Sequence, residues 1–280
     1  MKALTFLAKR FVAGEEAQDA VRAGERLAQR GIKATFDMLG EDVLDRDAAR
    51  RCADNILGLV QAIPAPLECN VSVKLSMFGL NIDTAMCERL AGEIAAATAA
   101  KGGFLRVDME GSKHTQVTLD VFRALRQRHE NVGIVLQSAL HRTEQDVEDC
   151  IRHGDRVRLC KGAYKEPPSV AFQRMDDIRA AYRRQARRLL DSGKYPALAT
   201  HDESLIQDAL QHVREQGYAR ERFEFQMLYG LRPRRWDELV KDGWNVRIYV
   251  PYGTHWFPYF YRRLRERKEN IFFVLRGIFE

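Results

Sequence analysis

The fold is decided near the C-terminus by the stretch WNVRIYVPYGTHWFPYFYRRLRER, which covers residues 244–267. Val246 to Tyr252 is rich in β-branched and aromatic residues and is followed by a glycine, which predicts a strand. Pro258 suits the first turn of a helix, so a helix is predicted from there through Arg267. A strand followed at once by a helix is the repeating unit of a parallel α/β fold.

The predicted helix carries a polar face. Four of its side chains share one side because they lie three or four residues apart, namely Tyr259, Arg262, Arg263 and Glu266. Two neighbouring guanidinium groups suit a planar oxyanion such as a carboxylate, which they can hold by two-point hydrogen bonds. A solvated basic helix is the alternative, because further cations follow as far as Lys268.

The rest of the chain repeats the same pattern. Strand-like segments are predicted at residues 32–39, 70–75, 104–109, 132–137, 156–161, 196–200 and 223–228. Helices are predicted between them at residues 47–63, 83–101, 116–129, 144–153, 170–192, 203–216 and 235–242, after an N-terminal helix of about residues 1–30.

Strands that alternate with helices predict an all-parallel sheet, most economically a closed (β/α)8 barrel. We therefore expect one catalytic domain of the α/β class over residues 1–280. An open doubly wound sheet is the alternative, but no Gly-x-Gly-x-x-Gly follows the first strand.

The composition and the net charge limit the classes of partner and function that are expected. With 45% hydrophobic and 30% charged residues, the chain has the balance of a soluble globular protein. The net charge of +6 favours an anionic substrate, an anionic cofactor or an acidic membrane surface. Nucleic acid is not expected as a partner, because the basic residues are interleaved with acidic ones.

The cysteines and the apolar segments suggest a location. The five cysteines include no Cys-x-x-Cys pair, so neither a zinc site nor a disulfide framework is indicated. A reducing cytoplasm is the simplest setting. No signal peptide and no apolar run of about 18 residues is present, so any membrane contact is expected to be peripheral.

Polar residues stand at most of the predicted strand ends. They are Lys74, Asp108, Glu110, Gln137, Arg158, Lys161, Thr200, His201, Gln226 and Tyr249. Active sites of (β/α)8 barrels lie at the carboxyl ends of the strands. Charged groups repeated at that depth are costly unless they face each other or a ligand.

Simpler interpretations apply to single residues. Asp108 is of a type that commonly caps a following helix, and a histidine such as His201 is more often structural than a metal ligand. No metal site is indicated, because the first strand carries no His-x-His and no close cluster of ligands occurs elsewhere. No nucleophilic elbow occurs either. As a set, the amides, arginines and tyrosines suit an anion and a planar cofactor that carries the chemistry.

The segments at the strand ends, in their order, resemble those of the proline dehydrogenase (proline oxidase) family, bacterial monofunctional type. The matching pieces are VKLS (73–76), VDME (107–110), VLQ (135–137), RLCKGAY (158–164), ATHD (199–202), EFQMLYG (224–230), RIYVPYG (247–253) and YFYRRLRE (259–266). The resemblance covers nearly the whole chain from Ile32 onward.

The resemblance implies a distorted (βα)8 TIM-type barrel whose last helix lies over the C-terminal mouth. It also implies a non-covalent FAD and oxidation of L-proline to 1-pyrroline-5-carboxylate by hydride transfer, with a quinone as electron acceptor, as the first step of proline catabolism. A cytoplasmic protein with peripheral contact at the inner face of the membrane is expected. A pyrroline-5-carboxylate dehydrogenase is a further candidate partner.

Roles carry over by position. By resemblance, Arg262 and Arg263 hold the proline carboxylate with help from Lys74. Tyr249 and Tyr259 pack on the pyrrolidine ring. Tyr164 lies at the edge of the substrate pocket. Asp108 belongs to the polar network that orients substrate and flavin. Arg158 lies beside the hydride-accepting nitrogen of the flavin.

The other residues carried over line the FAD. They are Met109, Gln137, Cys160, Lys161, Gly162, Ala163, Thr200, His201 and Gln226, together with Glu266, which holds the two arginines in place. Two alternatives remain at this point. One keeps the flavin but takes hydroxyproline or another cyclic imino acid, and Tyr249 argues against it by crowding a hydroxylated ring. The other is a non-catalytic barrel that binds an anion through the arginines of residues 183–188 and 232–235.

Overall fold

The computed structural model describes residues 10–257 and residue 259. Eight parallel strands close into a barrel in which each strand pairs with the next and β8 pairs with β1. This confirms the predicted (β/α)8 class. The strands are β1 Lys33–Met38, β2 Asn70–Val73, β3 Phe104–Val107, β4 Val132–Gln137, β5 Val157–Cys160, β6 Ala197–Ala199, β7 Glu224–Leu228 and β8 Val246–Tyr252.

Helices follow the strands and cover the outside of the barrel. They are α1 Ala17–Ala28, α2 Arg46–Ala62, α3 Thr84–Ala100, α4 Thr115–Arg126, α5 Thr143–Arg152, α6 Met175–Ser192, α7 Glu203–Glu215 and α8 Pro233–Lys241. Short 3-10 turns occur at Leu75–Phe78, Ser112–His114 and Arg220–Arg222. Within residues 10–257, no helix combines the length and the apolarity needed to cross a bilayer.

Aspartates cap the starts of α2 and α3. Asp45 accepts a hydrogen bond from the Ala48 amide at 2.7 Å at the start of α2, and Asp83 accepts one from the Met86 amide at 3.0 Å at the start of α3. An aspartate at this position satisfies an amide that has no partner inside the helix. The starts of α2 and α3 are therefore fixed by local hydrogen bonds.

Alternation along the strands separates two buried regions. Phe36 of β1 and Val71 of β2 are fully buried and belong to the apolar layer between barrel and helices. Their neighbours Thr35 and Ser72 face the barrel interior, where their hydroxyl groups lie 3.0 Å apart. Because successive side chains of a strand point to opposite faces, the interior receives the polar set and the outer layer receives the apolar set.

The N-terminal helix is shorter than predicted. The prediction was about residues 1–30, whereas α1 begins at Ala17 and residues 10–16 are not helical. The segment before it is held against the end of β8, since the Ala13 amide donates to the Pro251 carbonyl at 2.9 Å and the Gly253 amide to the Gly14 carbonyl at 2.9 Å. A Cβ at Gly14 would lie 2.2 Å from the Asp19 carboxylate, so the helix start needs glycine there.

The helix after β5 also begins later than the predicted residue 170. α6 starts at Met175, because the residues before it bond elsewhere. The His141 amide donates to the Val170 carbonyl at 3.0 Å, and the Phe172 amide donates to the Ala139 carbonyl at 2.8 Å. This segment therefore pairs with the loop after β4 instead of continuing the helix.

Helical backbone is present at Trp256, Phe257 and Tyr259. The predicted helix through Arg267, and its position over the barrel mouth, otherwise lie outside the described residues.

Candidate active site

A buried ion pair joins β1 and β2 at the barrel mouth, the end formed by the carboxyl termini of the strands. Lys74 Nζ lies 3.0 and 3.1 Å from the two carboxylate oxygens of Asp37. Asp37 is 1% exposed and Lys74 is 8% exposed. Lys74 is thus no solvated strand end, and its charge is directed into the barrel.

The two members of this pair titrate very differently. Burial raises the pKa of Asp37 to about 6, although the charge of Lys74 opposes the rise. Burial lowers the pKa of Lys74, but attraction by Asp37 and Asp108 outweighs it, so the pKa ends above that of a free lysine. The carboxyl group is therefore the member of the pair that changes protonation near neutral pH.

Asp108 is held between two donors from opposite sides of the mouth. Tyr249 Oη donates to Asp108 Oδ2 at 2.8 Å, and Arg158 Nη1 donates to Oδ1 at 2.7 Å. The guanidinium of Arg158 also lies 5.4 Å from the centre of the Tyr249 ring. Burial raises the pKa of Tyr249 well above its usual value, so its hydroxyl stays protonated and remains a donor.

Arg158 is fixed at all three of its nitrogens. Besides the bond to Asp108, its Nη2 donates to Ser72 Oγ at 2.9 Å and its Nε donates to Gln226 Oε1 at 2.5 Å. The side chain is 5% exposed. A guanidinium with a full set of partners presents a fixed positive charge at the mouth, as preorganised electrostatic stabilisation requires.

The β3–β4 side of the mouth is held by an amide and a carboxylate. Gln137 Nε2 donates to the main-chain carbonyl of Glu110 at 2.9 Å. The Glu110 side chain accepts from the Ser76 amide at 3.0 Å and from its hydroxyl at 2.5 Å. Burial raises the pKa of Glu110. Met109 is also buried, and the hydrogen bonds of Gln137 and Glu110 fix this side of the mouth.

The loop after β5 offers main chain to the mouth. Cys160 Sγ donates to the Leu136 carbonyl at 3.5 Å, and Lys161 Nζ lies 3.2 Å from Asp202. Gly162 has φ +111° and both it and Ala163 are exposed. Since only glycine adopts that φ readily, the backbone there can approach a ligand closely.

The β6 end combines a buried threonine with a structural histidine. Thr200 is 5% exposed, and its hydroxyl accepts from the Asp202 amide at 3.1 Å. His201 Nε2 accepts from the Leu228 amide at 2.9 Å, so we assign its ring proton to Nδ1. The histidine ties the end of β6 to β7.

The two remaining tyrosines have different surroundings. Tyr164 Oη donates to the Glu41 carboxylate at 3.3 Å, across from the loop after β1. Tyr259 is 7% exposed and packs with Phe11, Leu39 and other apolar residues in a small cluster apart from the main core. The predicted carboxylate ligands Arg262 and Arg263, with Glu266, lie outside the described residues.

Two buried acids of the barrel interior were missed from the sequence. Asp37 contacts Lys74 at the mouth, and Glu224 contacts Gln226 and Arg247 deeper inside. Both signals were available, because Asp37 shares the inward face of β1 with Thr35, and Glu224 shares that of β7 with Gln226. A charged residue on the inward register of a predicted barrel strand was the feature to look for.

A closed parallel barrel whose β1, β5, β7 and β8 are joined by a connected, charged network to the residues that follow β2 and β3 is characteristic of a (β/α)8-barrel enzyme. The network is built to hold charge in fixed directions and includes one carboxyl group that titrates near neutrality. These features define the class of protein.

Similarity to known sequences gives the family. The family model described as proline dehydrogenase matches residues 20–276. Proline dehydrogenase 2 of Bacillus subtilis strain 168 is 37% identical over 272 residues, covering 97% of this chain and 90% of that protein. Proline dehydrogenase of Deinococcus radiodurans is 39% identical over 282 residues, with the same coverage. The chain belongs to the proline dehydrogenase family, and this membership supports an oxidoreductase that acts on proline as the first step of its catabolism.

Solved structures show the same fold within longer chains. Proline utilization A of Bdellovibrio bacteriovorus, inactivated by N-propargylglycine, superposes with a TM-score of 0.85 at 25% identity. The match covers 93% of this chain and 32% of that one. A variant of the Bradyrhizobium japonicum protein superposes with a TM-score of 0.76 at 24% identity over 91% of this chain and 30% of that chain. This chain therefore spans about a third of those structures.

Proposed function

We propose that the chain is an FAD-dependent L-proline dehydrogenase that forms 1-pyrroline-5-carboxylate and passes its electrons to a quinone. The observation that carries the proposal is the network in which Lys74, Asp37, Tyr249, Asp108 and Arg158 meet at the barrel mouth. It stands where (β/α)8 enzymes hold their substrates.

The mouth suits a flavin on the β4–β5 side. A Cβ on Gly162 would lie 3.4 Å from Gln137 Oε1, so glycine keeps the space above this amide open. The amide of Gln137 presents a donor and an acceptor to a flat heterocycle, and Arg158 adds a fixed positive charge. FAD, when bound there without a covalent link, supplies a two-electron hydride acceptor. Arg158 would favour the negative charge that its ring gains.

The substrate side suits a small zwitterion. Lys74 presents its ammonium group at the mouth, and Arg262 and Arg263 complete the carboxylate site in this proposal. Tyr249 and Tyr259 pack on the pyrrolidine ring. Fixing the carboxylate aims the ring carbon beside nitrogen at the flavin, so the reaction becomes largely a matter of position.

A proton must leave as well. Loss of a hydride from the ring carbon and of a proton from the ring nitrogen creates the C=N bond of the product. Asp37 is the acceptor that we assign to that proton, because its pKa is about 6 and its carboxylate lies at the mouth beside Lys74. Tyr249 and Asp108 keep the pair and the substrate in register.

The basic helices do not favour an anion-binding barrel without catalysis. Arg187 pairs with Asp208 at 2.5 Å, Arg188 with Glu148 at 2.7 Å, and Arg232 with Glu203 at 2.6 Å. Cations that are already paired offer little charge to a polyanion such as nucleic acid.

Purified protein tests the proposal. It should contain FAD or take it up, and it should form the pyrroline product from L-proline with a soluble quinone as acceptor. Failure to take up FAD would favour the non-catalytic alternative. A higher kcat/KM for hydroxyproline than for proline would overturn the choice of substrate but not of the cofactor.

The electron acceptor implies a location. We propose a cytoplasmic protein that touches the inner face of the membrane peripherally to reach its quinone, and a pyrroline-5-carboxylate dehydrogenase as the partner that removes the product. Sedimentation with lipid vesicles that contain quinone, compared with vesicles that lack it, tests the membrane contact.

A further inference from the structure

Gln226 lies in the barrel interior between a cation and an anion. Arg158 Nε donates to its Oε1 at 2.5 Å, while its own Nε2 donates to Glu224 Oε1 at 2.5 Å. Gln226 is 3% exposed and Glu224 is 1% exposed. The amide therefore links the charged network of the mouth to a second acid deeper in the barrel.

Glu224 is held in its charged form. Arg247 Nε lies 2.9 and 3.1 Å from its two oxygens, and Tyr195 Oη donates to it at 3.2 Å. Burial would raise the pKa of Glu224, but attraction by Arg247 outweighs it and lowers the pKa to about 2. Glu224 is thus ionised at any working pH and can only accept hydrogen bonds.

This charge decides which way the Gln226 amide faces. A carboxylate accepts only, so it selects the NH2 end of the amide and leaves the carbonyl end for Arg158. The flipped amide would set its NH2 group against a guanidinium N–H and its oxygen against a carboxylate. Both hydrogen bonds would be lost inside the protein, which is costly.

We propose that Glu224 is a positioning residue for the reaction, although it does not reach the mouth. By orienting Gln226 it holds Arg158 with Nη1 on Asp108 and Nη2 on Ser72. The inference rests on the proposed function in one respect, namely that Arg158 stabilises the negative charge of the reduced flavin.

Glu224→Gln and Glu68→Gln form a matched pair of variants. Both remove one carboxylate from Arg247, which also donates to Glu68 at 3.0 Å, but only Glu224 contacts Gln226. In the FAD-loaded enzyme, Glu224→Gln should lower kcat about tenfold and leave the KM for proline within about twofold, because Arg158 is misplaced while substrate contacts remain. Glu68→Gln should behave like the parent protein.

The flavin midpoint potential should follow the same pattern. A tenfold weaker preference for the reduced flavin corresponds to a potential about 30 mV lower for a two-electron couple, and this is expected for Glu224→Gln alone. Gln226→Met removes the amide and keeps Glu224, and it should lower the midpoint potential by the same amount. It replaces Glu224→Gln in this test if that variant does not fold. An equal shift in Glu224→Gln and Glu68→Gln, or none in Glu224→Gln and Gln226→Met, would overturn the proposal.

A double-mutant cycle on the flavin-free protein separates this inference from the proposed function. The effects of Glu224→Gln and Arg158→Met on the unfolding equilibrium constant should deviate from additivity by about threefold or more, and become additive when Gln226 is replaced by Met. Additive effects with Gln226 present would overturn the positioning role. Absence of FAD binding would instead refute the proposed function and leave this cycle valid.

Discussion

Two buried carboxylates in the same barrel have pKa values that are shifted in opposite directions. Glu224 at the floor, where the strands begin, has its pKa lowered to about 2. Asp37 at the mouth, where they end, has its pKa raised to about 6. Both are 1% exposed, so burial alone does not separate them.

The partners make the difference. Glu224 receives the planar guanidinium of Arg247, which bonds both of its oxygens and is itself completed by Glu68 and the Ala34 carbonyl. Asp37 receives a single ammonium group from Lys74 and stands near the negative charge of Asp108. The guanidinium holds Glu224 as a permanent charge, whereas burial and the nearby charge of Asp108 outweigh the attraction of Lys74 at Asp37 and raise its pKa. The floor therefore holds a permanent charge, whereas the mouth holds a carboxyl group that titrates.

Arg247→Met should produce the largest loss of stability. It leaves Glu224 and Glu68 without their cation, and breaking such a buried pair costs about 3–5 kcal/mol. Denaturant unfolding at pH 7 measures the loss. Arg222→Met, at an exposed arginine stacked on Tyr218, is the control and should change the free energy of unfolding little. Equal losses in the two variants would contradict a structural role for the floor.

Arg263→Met should affect the mouth without affecting the fold. Removing one partner of the substrate carboxylate should weaken proline binding by about 2–5 kcal/mol, with FAD retained. The KM for proline and the flavin content measure the two parts. Arg265→Met removes the same charge from a predicted neighbouring face and is the matched control. An unchanged KM in Arg263→Met would refute the carboxylate role.

Lys74→Met should cost less stability than Arg247→Met, which sharpens the contrast. Asp37 loses its cation but can take up a proton and become neutral. We therefore expect the free energy of unfolding to fall by about 1–3 kcal/mol. The loss should grow with pH, because removing Lys74 raises the pKa of Asp37 further and ionising the buried acid then becomes more unfavourable. Unfolding at pH 5 and at pH 8 tests this. A loss as large as that of Arg247→Met at both pH values would erase the difference between mouth and floor.

The pH dependence of stability should reflect the ionisation of Asp37. The groups that face Asp37 include Lys74, Asp108, Tyr249 and Tyr252. With a folded pKa of about 6 and an unfolded value of about 3.9, protonated Asp37 stabilises the fold below about pH 4, and this stability is lost as pH rises through 6.

Catalytic activity should also depend on the ionisation of Asp37, but it should increase with pH where the stability decreases. The kcat/KM for proline should rise through about pH 6 as Asp37 becomes the acceptor, and Asp37→Asn should remove that limb. A limb that persists unchanged in Asp37→Asn would assign it to another group.

The sequence predicted the fold class and most mouth residues because both depend on local patterns. Strand-end residues such as Lys74 and Asp108 could be found from the repeat of strand and helix alone. The pairings could not, because the bond between Arg158 and Asp108 joins strands on different sides of the mouth and depends on how the barrel closes. Asp37 and Glu224 were overlooked because an isolated acid inside a strand resembles a surface residue until the inward register is known.

Two helices, α1 and α6, begin later than predicted, and each difference has a local cause. The segment before α1 forms hydrogen bonds with the end of β8 instead of a helix. The residues before α6 form hydrogen bonds with the loop after β4 instead. Propensity alone does not predict such tertiary pairings. The roles of Arg262, Arg263 and Glu266 remain predictions from sequence.

Anaerobic titration of the purified protein with L-proline tests the central claim most directly. The preparation should be yellow, and the flavin absorption band should bleach in proportion to the proline added, with pyrroline-5-carboxylate formed in equal amount. A flavin-loaded protein whose band stays unchanged at saturating proline would contradict a mouth that joins proline to a flavin.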